Sequence, residues 1–172
     1  MRYTNLLCPL FMIFLAAGCS GYRLGNVPYE EMKGVKKIYV PIVKNETYEA
    51  GIQTMVTNAI LRRLDQDGTY QSGRLAESDA TLEITLTDYK RDSRRRARSN
   101  SLVTEEYDLV LEAKATLLNH RTGRKLFEDL VIIGDTSIYV QENRLQEGER
   151  QALPLAAQAL AYEIVRNITE GW

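Results

Sequence analysis

Two stretches of regular alternation limit the fold of this chain more than any other feature. Ala80, Leu82, Ile84 and Leu86 alternate with Thr81, Glu83, Thr85 and Thr87. Further on, Tyr107, Leu109, Leu111, Ala113, Ala115 and Leu117 alternate with Glu106, Asp108, Glu112, Lys114 and Thr116. A two-residue period sends successive side chains to opposite faces of a strand. Each segment therefore predicts a long strand with one buried and one polar face, and threonine on the polar face suits β structure. The second strand is expected to run back antiparallel to the first. Asn119-His120-Arg121-Thr122-Gly123 reads as a turn, and Leu126 to Ile133 as the next strand of a hairpin. Leu130-Val131-Ile132-Ile133 is apolar on both faces, so its outer side calls for a cover.

Val35 to Val43 reads as the first strand, with Ile38, Val40 and Ile42 on one face. Pro41 has no N–H to donate, which predicts an edge strand or a strand end there. Asn45-Glu46-Thr47 offers capping side chains for a following helix. In that helix Ile52, Met55, Val56, Ala59, Ile60 and Leu64 recur at helical spacing, with Asn58, Arg62, Arg63 and Asp65 mostly opposite, and Gly68 marks its end. A last helix, from about Glu147 to Thr169, carries Leu153, Ala156, Ala157, Leu160, Ile164, Val165 and Ile168 as a wide apolar stripe. Pro154 belongs either in its first turn or at a kink in a longer helix, and the kink is preferred. Two amphipathic helices need one apolar sheet face. The predicted fold is α+β, a two-layer sandwich with both helices on one face of a mainly four-stranded sheet, in the order β-α-β-β-β-α. Thr81, Glu83 and Thr85 then fall on the opposite face.

The N-terminus adds an export signal. Arg2 precedes an apolar run from Leu6 to Ala17, followed by Gly18-Cys19-Ser20. That run is too short to cross a bilayer, which takes about 20 apolar residues, and small residues before a cleavage point mark a secretory signal. Leu15-Ala16-Ala17-Gly18-Cys19 resembles the bacterial lipobox. The resemblance implies removal of residues 1–18, lipidation of Cys19, and a membrane tether through that lipid. Several acyl chains on one residue make a durable anchor. Ser20, in place of Asp, favours the outer membrane. Residues 19–33 are then the lipidated end and a linker with Gly and Pro, and residues 34–172 a single domain. With Cys8 in the signal and Cys19 carrying lipid, no thiol remains for a disulfide.

Little in the sequence suggests bond-breaking chemistry. His120 stands alone in a turn, whereas a metal site wants several converging ligands. No nucleophile elbow, Gly-rich phosphate loop or dinucleotide fingerprint occurs. No cofactor is expected beyond the covalent lipid. The exception is charge. Lys90, Arg91, Arg94, Arg95, Arg96 and Arg98 form a basic segment at the tip between the two long strands. Guanidinium groups pair bidentately with phosphate or carboxylate oxygens. The segment lacks interleaved aromatics for base stacking, so nucleic acid is not expected. Anionic lipid, an acidic protein surface and a merely solvated hairpin tip all stay open. Tyr22, Tyr89, Tyr107 and Tyr139 read as core first and interface second.

The ordered pieces resemble the LptE family of lipopolysaccharide-assembly lipoproteins. They are Cys19-Ser20-Gly21-Tyr22-Arg23-Leu24, the stretch Ile38 to Thr47, the helix from Tyr48, Ser78 to Leu82, Glu105 to Leu117, and the Ala-rich helix ending near Ile168 and Trp172. The resemblance implies two helices on a four-stranded sheet and no catalysis. It implies an outer-membrane lipoprotein, facing the periplasm, that plugs the large β-barrel LptD in a 1:1 complex, supports that barrel's assembly and binds lipopolysaccharide. By position, Lys90, Arg91, Arg94, Arg95, Arg96 and Arg98 are the candidate lipopolysaccharide contacts. Two rivals remain at this stage: an adaptor lipoprotein of another envelope machine, and a carboxylate-based periplasmic hydrolase.

Overall fold

The computed structural model describes residues 32–95, 104–141 and 144–170. Cys19 and the proposed signal and linker, apart from Met32 and Lys33, lie outside them. Strand β1 (Lys37–Tyr39) and strand β2 (Lys44–Asn45) lead into helix α1 (Ile52–Asp67). Strand β3 (Gln71–Ser72) and a short 3-10 turn follow. Strands β4 (Ala80–Arg95), β5 (Thr104–Asn119) and β6 (Lys125–Gln141) come next, then helix α2 (Leu145–Thr169). The sheet order is β3-β1-β4-β5-β6, with β2 also on β4. β1 and β2 run parallel to β4, whereas β4, β5 and β6 form an antiparallel meander. This is the expected two-layer α+β sandwich, its four-strand body widened by two-residue strands.

Both helices cover one sheet face. Ile38, Ala80, Leu82, Ile84, Leu86, Leu109, Leu111, Ala113, Ala115 and Leu117 are buried beneath them. From α1 they meet Ile52, Val56, Ala59, Ile60 and Leu64, and from α2 Ala156, Ala157, Leu160, Ile164, Val165 and Ile168. Removal of these side chains from water is the main favourable term in folding. Leu160 sits so close to β6 that only a residue without a side chain fits opposite it. A Cβ added at Gly134 would stand 2.2 Å from the Leu160 backbone nitrogen.

Several local expectations change. The expected strand from Val35 to Val43 is broken into β1 and β2. The break falls at Pro41, as the missing donor requires. Asn45 and Thr47 do not cap α1, whose N-cap is Gly51 with no side-chain hydrogen bond. Instead Asn45 Oδ1 accepts from the Thr47 amide at 3.0 Å and from the Thr47 hydroxyl at 2.7 Å, which folds the loop before the helix. Gly68 ends α1 in the left-handed conformation and donates its N–H to the Leu64 carbonyl. Pro154 lies well inside α2, past the first turn, and the helix continues across it.

The largest difference concerns strand length. β4 does not stop before the basic segment but continues through Lys90 and Arg91 to Arg95. A bulge at Thr87 makes this possible. Leu86 pairs with Ala113 and Asp88 with Glu112, so Thr87 is the extra residue. A one-residue insertion reverses which side chains face the core. Before the bulge the even-numbered residues point inward. After it Tyr89 and Arg91 do, opposite Leu111 and Leu109, and Lys90 and Asp92 point out. β6 likewise runs past Ile133 to Gln141, placing Ile132 and Ile138 inward. Val131 and Ile133 remain 50% and 51% exposed on the outer face, and no described residue supplies the cover they were expected to need.

Candidate functional site

The basic segment does not form one patch. Lys90 and Arg91 are neighbours in an extended strand and so lie on opposite faces of the sheet. On the outer face Lys90 Nζ bonds Asp88 Oδ2 at 2.6 Å. That contact holds the Asp88 carboxyl below its ordinary range and raises the Lys90 ammonium above its own. On the helical face a guanidinium nitrogen of Arg91 meets Glu149 Oε1 of α2 at 2.5 Å. Arg94 and Arg95 are the last residues of β4, and Arg96 and Arg98 fall outside the described residues.

Glu149 is the residue that the sequence reading missed. It accepts from Arg91 and also from the Tyr89 hydroxyl at 3.4 Å. Burial, and after it the nearby Glu149 and Glu49 carboxylates, push the Tyr89 phenol up to about 12. Tyr89 stays a neutral donor through the physiological range. Glu49, Tyr89, Gln146, Glu149, Arg150 and Leu153 line a recess of 210 Å³ between the start of α2 and the far part of β4. A signal for Glu149 was present: it stands four residues before Leu153, beside the apolar stripe rather than opposite it.

The tyrosines divide between the faces in the same way. Tyr89 and Tyr107 are half-buried against the core. Tyr139 is 70% exposed on the outer face, where its hydroxyl donates to Glu106 Oε1 at 3.2 Å. Tyr22 lies outside the described residues. His120 sits in its turn as expected but is not idle. Its Nε2 lies 2.7 Å from the Thr81 hydroxyl and its Nδ1 3.0 Å from the Ser78 carbonyl oxygen. The imidazole thus ties the β5–β6 turn to the start of β4, a structural role. Among the described residues no three His, Cys, Asp or Glu side chains converge to hold a metal.

The outer face offers a broad, mixed surface. Thr85, Lys114 and Val131 lie across β4, β5 and β6 in one row, and Glu112 and Ile133 are cross-strand neighbours in the next. Among the described residues β4 has no paired strand on that side beyond Asn45 of β2, so its far portion is an edge there. Among the described residues β6 likewise pairs on one side only, with β5.

Comparison with known proteins gives this architecture a context. No curated protein sequence matches the chain. Among solved structures, the hypothetical protein CT253 from Chlamydia trachomatis is similar at 12% identity and a TM-score of 0.52, over 77% of this chain and 95% of that one. Similarity at that level concerns the fold alone. Uncharacterized lipoprotein B from Nitrosomonas europaea matches at 18% identity and a TM-score of 0.49, over 87% of this chain and 90% of its own. A minor lipoprotein from Acinetobacter baumannii matches at 19% identity and 0.46, over 77% and 91%. A family model described as lipopolysaccharide-assembly, LptE, matches residues 35–168, from two residues before β1 almost to the end of α2. The chain belongs to the LptE lipopolysaccharide-assembly family.

Proposed function

We propose that this protein is a lipid-anchored component of the outer membrane that seats in an LptD-type β-barrel, supports the barrel's assembly and engages lipopolysaccharide as it passes. On this reading residues 1–18 are removed, Cys19 carries the lipid, residues 19–33 form the linker, and residues 34–172 fold as one periplasm-facing domain. The family match over residues 35–168 carries the proposal. The one-sided sandwich supports it. The helices occupy one sheet face, and the other face presents half-exposed Val131 and Ile133 among charged neighbours, a surface suited to contact with a barrel wall.

Lipopolysaccharide is assigned to the cations of the basic segment: Lys90, Arg91, Arg94, Arg95, Arg96 and Arg98. Lys90 and Arg91 already hold carboxylates. Solvent-accessible ion pairs are weak, so a multiply charged phosphate group can compete with these carboxylates for the cations. The domain works by fitting and binding, without covalent chemistry.

The test is affinity purification of the tagged chain from detergent-solubilised envelopes. A large β-barrel of the LptD type should copurify in a 1:1 ratio. Purification without any barrel partner would refute the plug. Replacing the six cations with Gln should weaken lipopolysaccharide binding and flatten its salt dependence. Unchanged affinity across salt would refute the site while leaving the barrel partner intact.

A further inference from the structure

The groove between the two helices holds a second, differently built polar recess. It measures 330 Å³ and is lined by Ala59, Arg62, Arg63 and Gln66 of α1 and Gln158 and Tyr162 of α2. The α1 residues fall at helical spacings of three and four, so they share one face, and Gln158 and Tyr162 are one turn apart on α2. Ala59 is buried and leaves room beneath the longer side chains.

The Arg63 guanidinium lies over the Tyr162 ring, 4.6 Å from its centre. Stacking fixes the plane of the guanidinium without consuming its donors. Arg63 Nε is buried and has no hydrogen-bond partner among the described residues. A buried charged donor left without an acceptor is costly. Five cations of the domain hold a carboxylate: Lys37 with Glu77, Lys90 with Asp88, Arg91 with Glu149, Lys125 with Glu128 and Arg166 with Glu163. Arg62 and Arg63 have no such carboxylate among the described residues, and no acid lines the recess.

We infer that this groove is an anion site whose ligand is a phosphate monoester group. Two guanidinium groups, two side-chain amides and a phenol approach from two helices. Donors arriving from different directions suit a tetrahedral oxyanion better than a flat carboxylate. The oriented Arg63 fork supplies the charge-assisted bonds, and Gln66, Gln158 and the Tyr162 hydroxyl complete the shell. The site shares no residue with the cations of β4, so its failure would leave the lipopolysaccharide assignment as it stands.

The experiment uses the full-length chain with labelled arginine side-chain nitrogens. The Arg63 Nε–Hε resonance is followed while inorganic phosphate replaces chloride at constant ionic strength. A saturable shift is expected. Arg63→Gln should abolish it. Gln158→Glu adds a carboxylate at an exposed rim position, so folding is preserved, and should weaken binding at least about tenfold. Lys44→Gln, which removes an exposed cation outside both sites, should bind as the parent does. Phosphatidylcholine vesicles doped with phosphatidic acid then separate the sources. Vesicle binding that free phosphate competes away and Arg63→Gln abolishes assigns a lipid headgroup, and phosphate binding at Arg63 without Arg63-dependent vesicle binding assigns a soluble ester. Absence of a saturable shift, an equal shift with acetate, or unweakened binding by Gln158→Glu would overturn the site.

Discussion

The contact between Gly134 and Leu160 is the tightest at any described glycine, and it gives a prediction whose sign is at stake. Gly134 does not have a positive φ, so its backbone accepts any residue. By strand preference alone, Gly134→Ala should stabilise the protein by about 0.5–1 kcal/mol. Packing argues the other way. The new Cβ would lie 2.2 Å from the Leu160 nitrogen, 2.3 Å from its Cα and 2.6 Å from its Cβ. An ordinary carbon contact is about 3.5–4.0 Å, so α2 must retreat from β6 by more than about 1 Å. Overpacking of this kind costs about 1–3 kcal/mol, and here backbone rather than a flexible side chain must move, so the upper end applies. After the strand gain, a net loss of about 2 kcal/mol remains, which for a domain of this size lowers Tm by about 4–8 °C. Thermal and urea unfolding followed by circular dichroism would measure it. Gly134→Val should lose more. Leu160→Ala should not rescue Gly134→Ala, because the nearest atoms belong to the backbone. A Tm for Gly134→Ala at or above the parent's would refute the close approach of α2.

Three further outcomes follow from buried or capped polar groups. The buried Thr57 hydroxyl accepts the Val43 amide at 3.0 Å and donates to the Gln53 carbonyl at 2.7 Å. Thr57→Val keeps the shape but orphans that amide, and should lower the urea-derived stability by about 1–3 kcal/mol and speed exchange of the Val43 amide, while Thr57→Ser should lose less. The Tyr70 hydroxyl is buried with no partner among the described residues, so Tyr70→Phe should leave stability unchanged or raise it by about 1 kcal/mol; a lower urea midpoint would reveal an acceptor. Asp79 accepts the Lys36 and Lys37 amides at 2.9 and 3.1 Å, bonds that hold its carboxyl below the ordinary aspartate range. Its contribution is present above that ordinary range and is lost as pH falls through the lowered folded value. Unfolding free energies at stepped acidic pH should show a shallower acid-side decline in Asp79→Ala than in the parent.

Much of the fold was legible because one face of each element is apolar. The stripes at Ile52 to Leu64 and Leu153 to Ile168, and the alternations at Ala80 to Leu86 and Leu109 to Leu117, gave both helices, both long strands and their layering. The far part of β4 was illegible for a definite reason. Extending the even-numbered alternation past Leu86 would have put Lys90 and Asp92 in the core, which reads as a strand end. The bulge at Thr87 turns them outward, and no local residue type announces a bulge there. The end of β6 was hidden by Gly134, Thr136 and Ser137, where α2 needs a bare backbone and the outer face is polar. Of the candidate site, the cations were visible, but their division between two faces was not. Arg63 looked like a solvent-facing residue because its partner, Tyr162, is distant in sequence and close only through helix packing.

Assembly of the chain is constrained by the parallel docking of β1. β4, β5 and β6 pair in chain order across connections of few residues, and α2 comes soon after β6 in the chain. β1 reaches β4 only after a crossover that includes all of α1. Closing such a loop costs entropy before its contacts form. The meander with α2 is therefore the expected nucleus, and the amino-terminal portion docks onto it last. Conservative truncation at Ile38 should mainly speed unfolding, whereas truncation at Leu111 should slow refolding. Stopped-flow chevrons would distinguish the two, and equal effects at both positions would point to a single concerted closure.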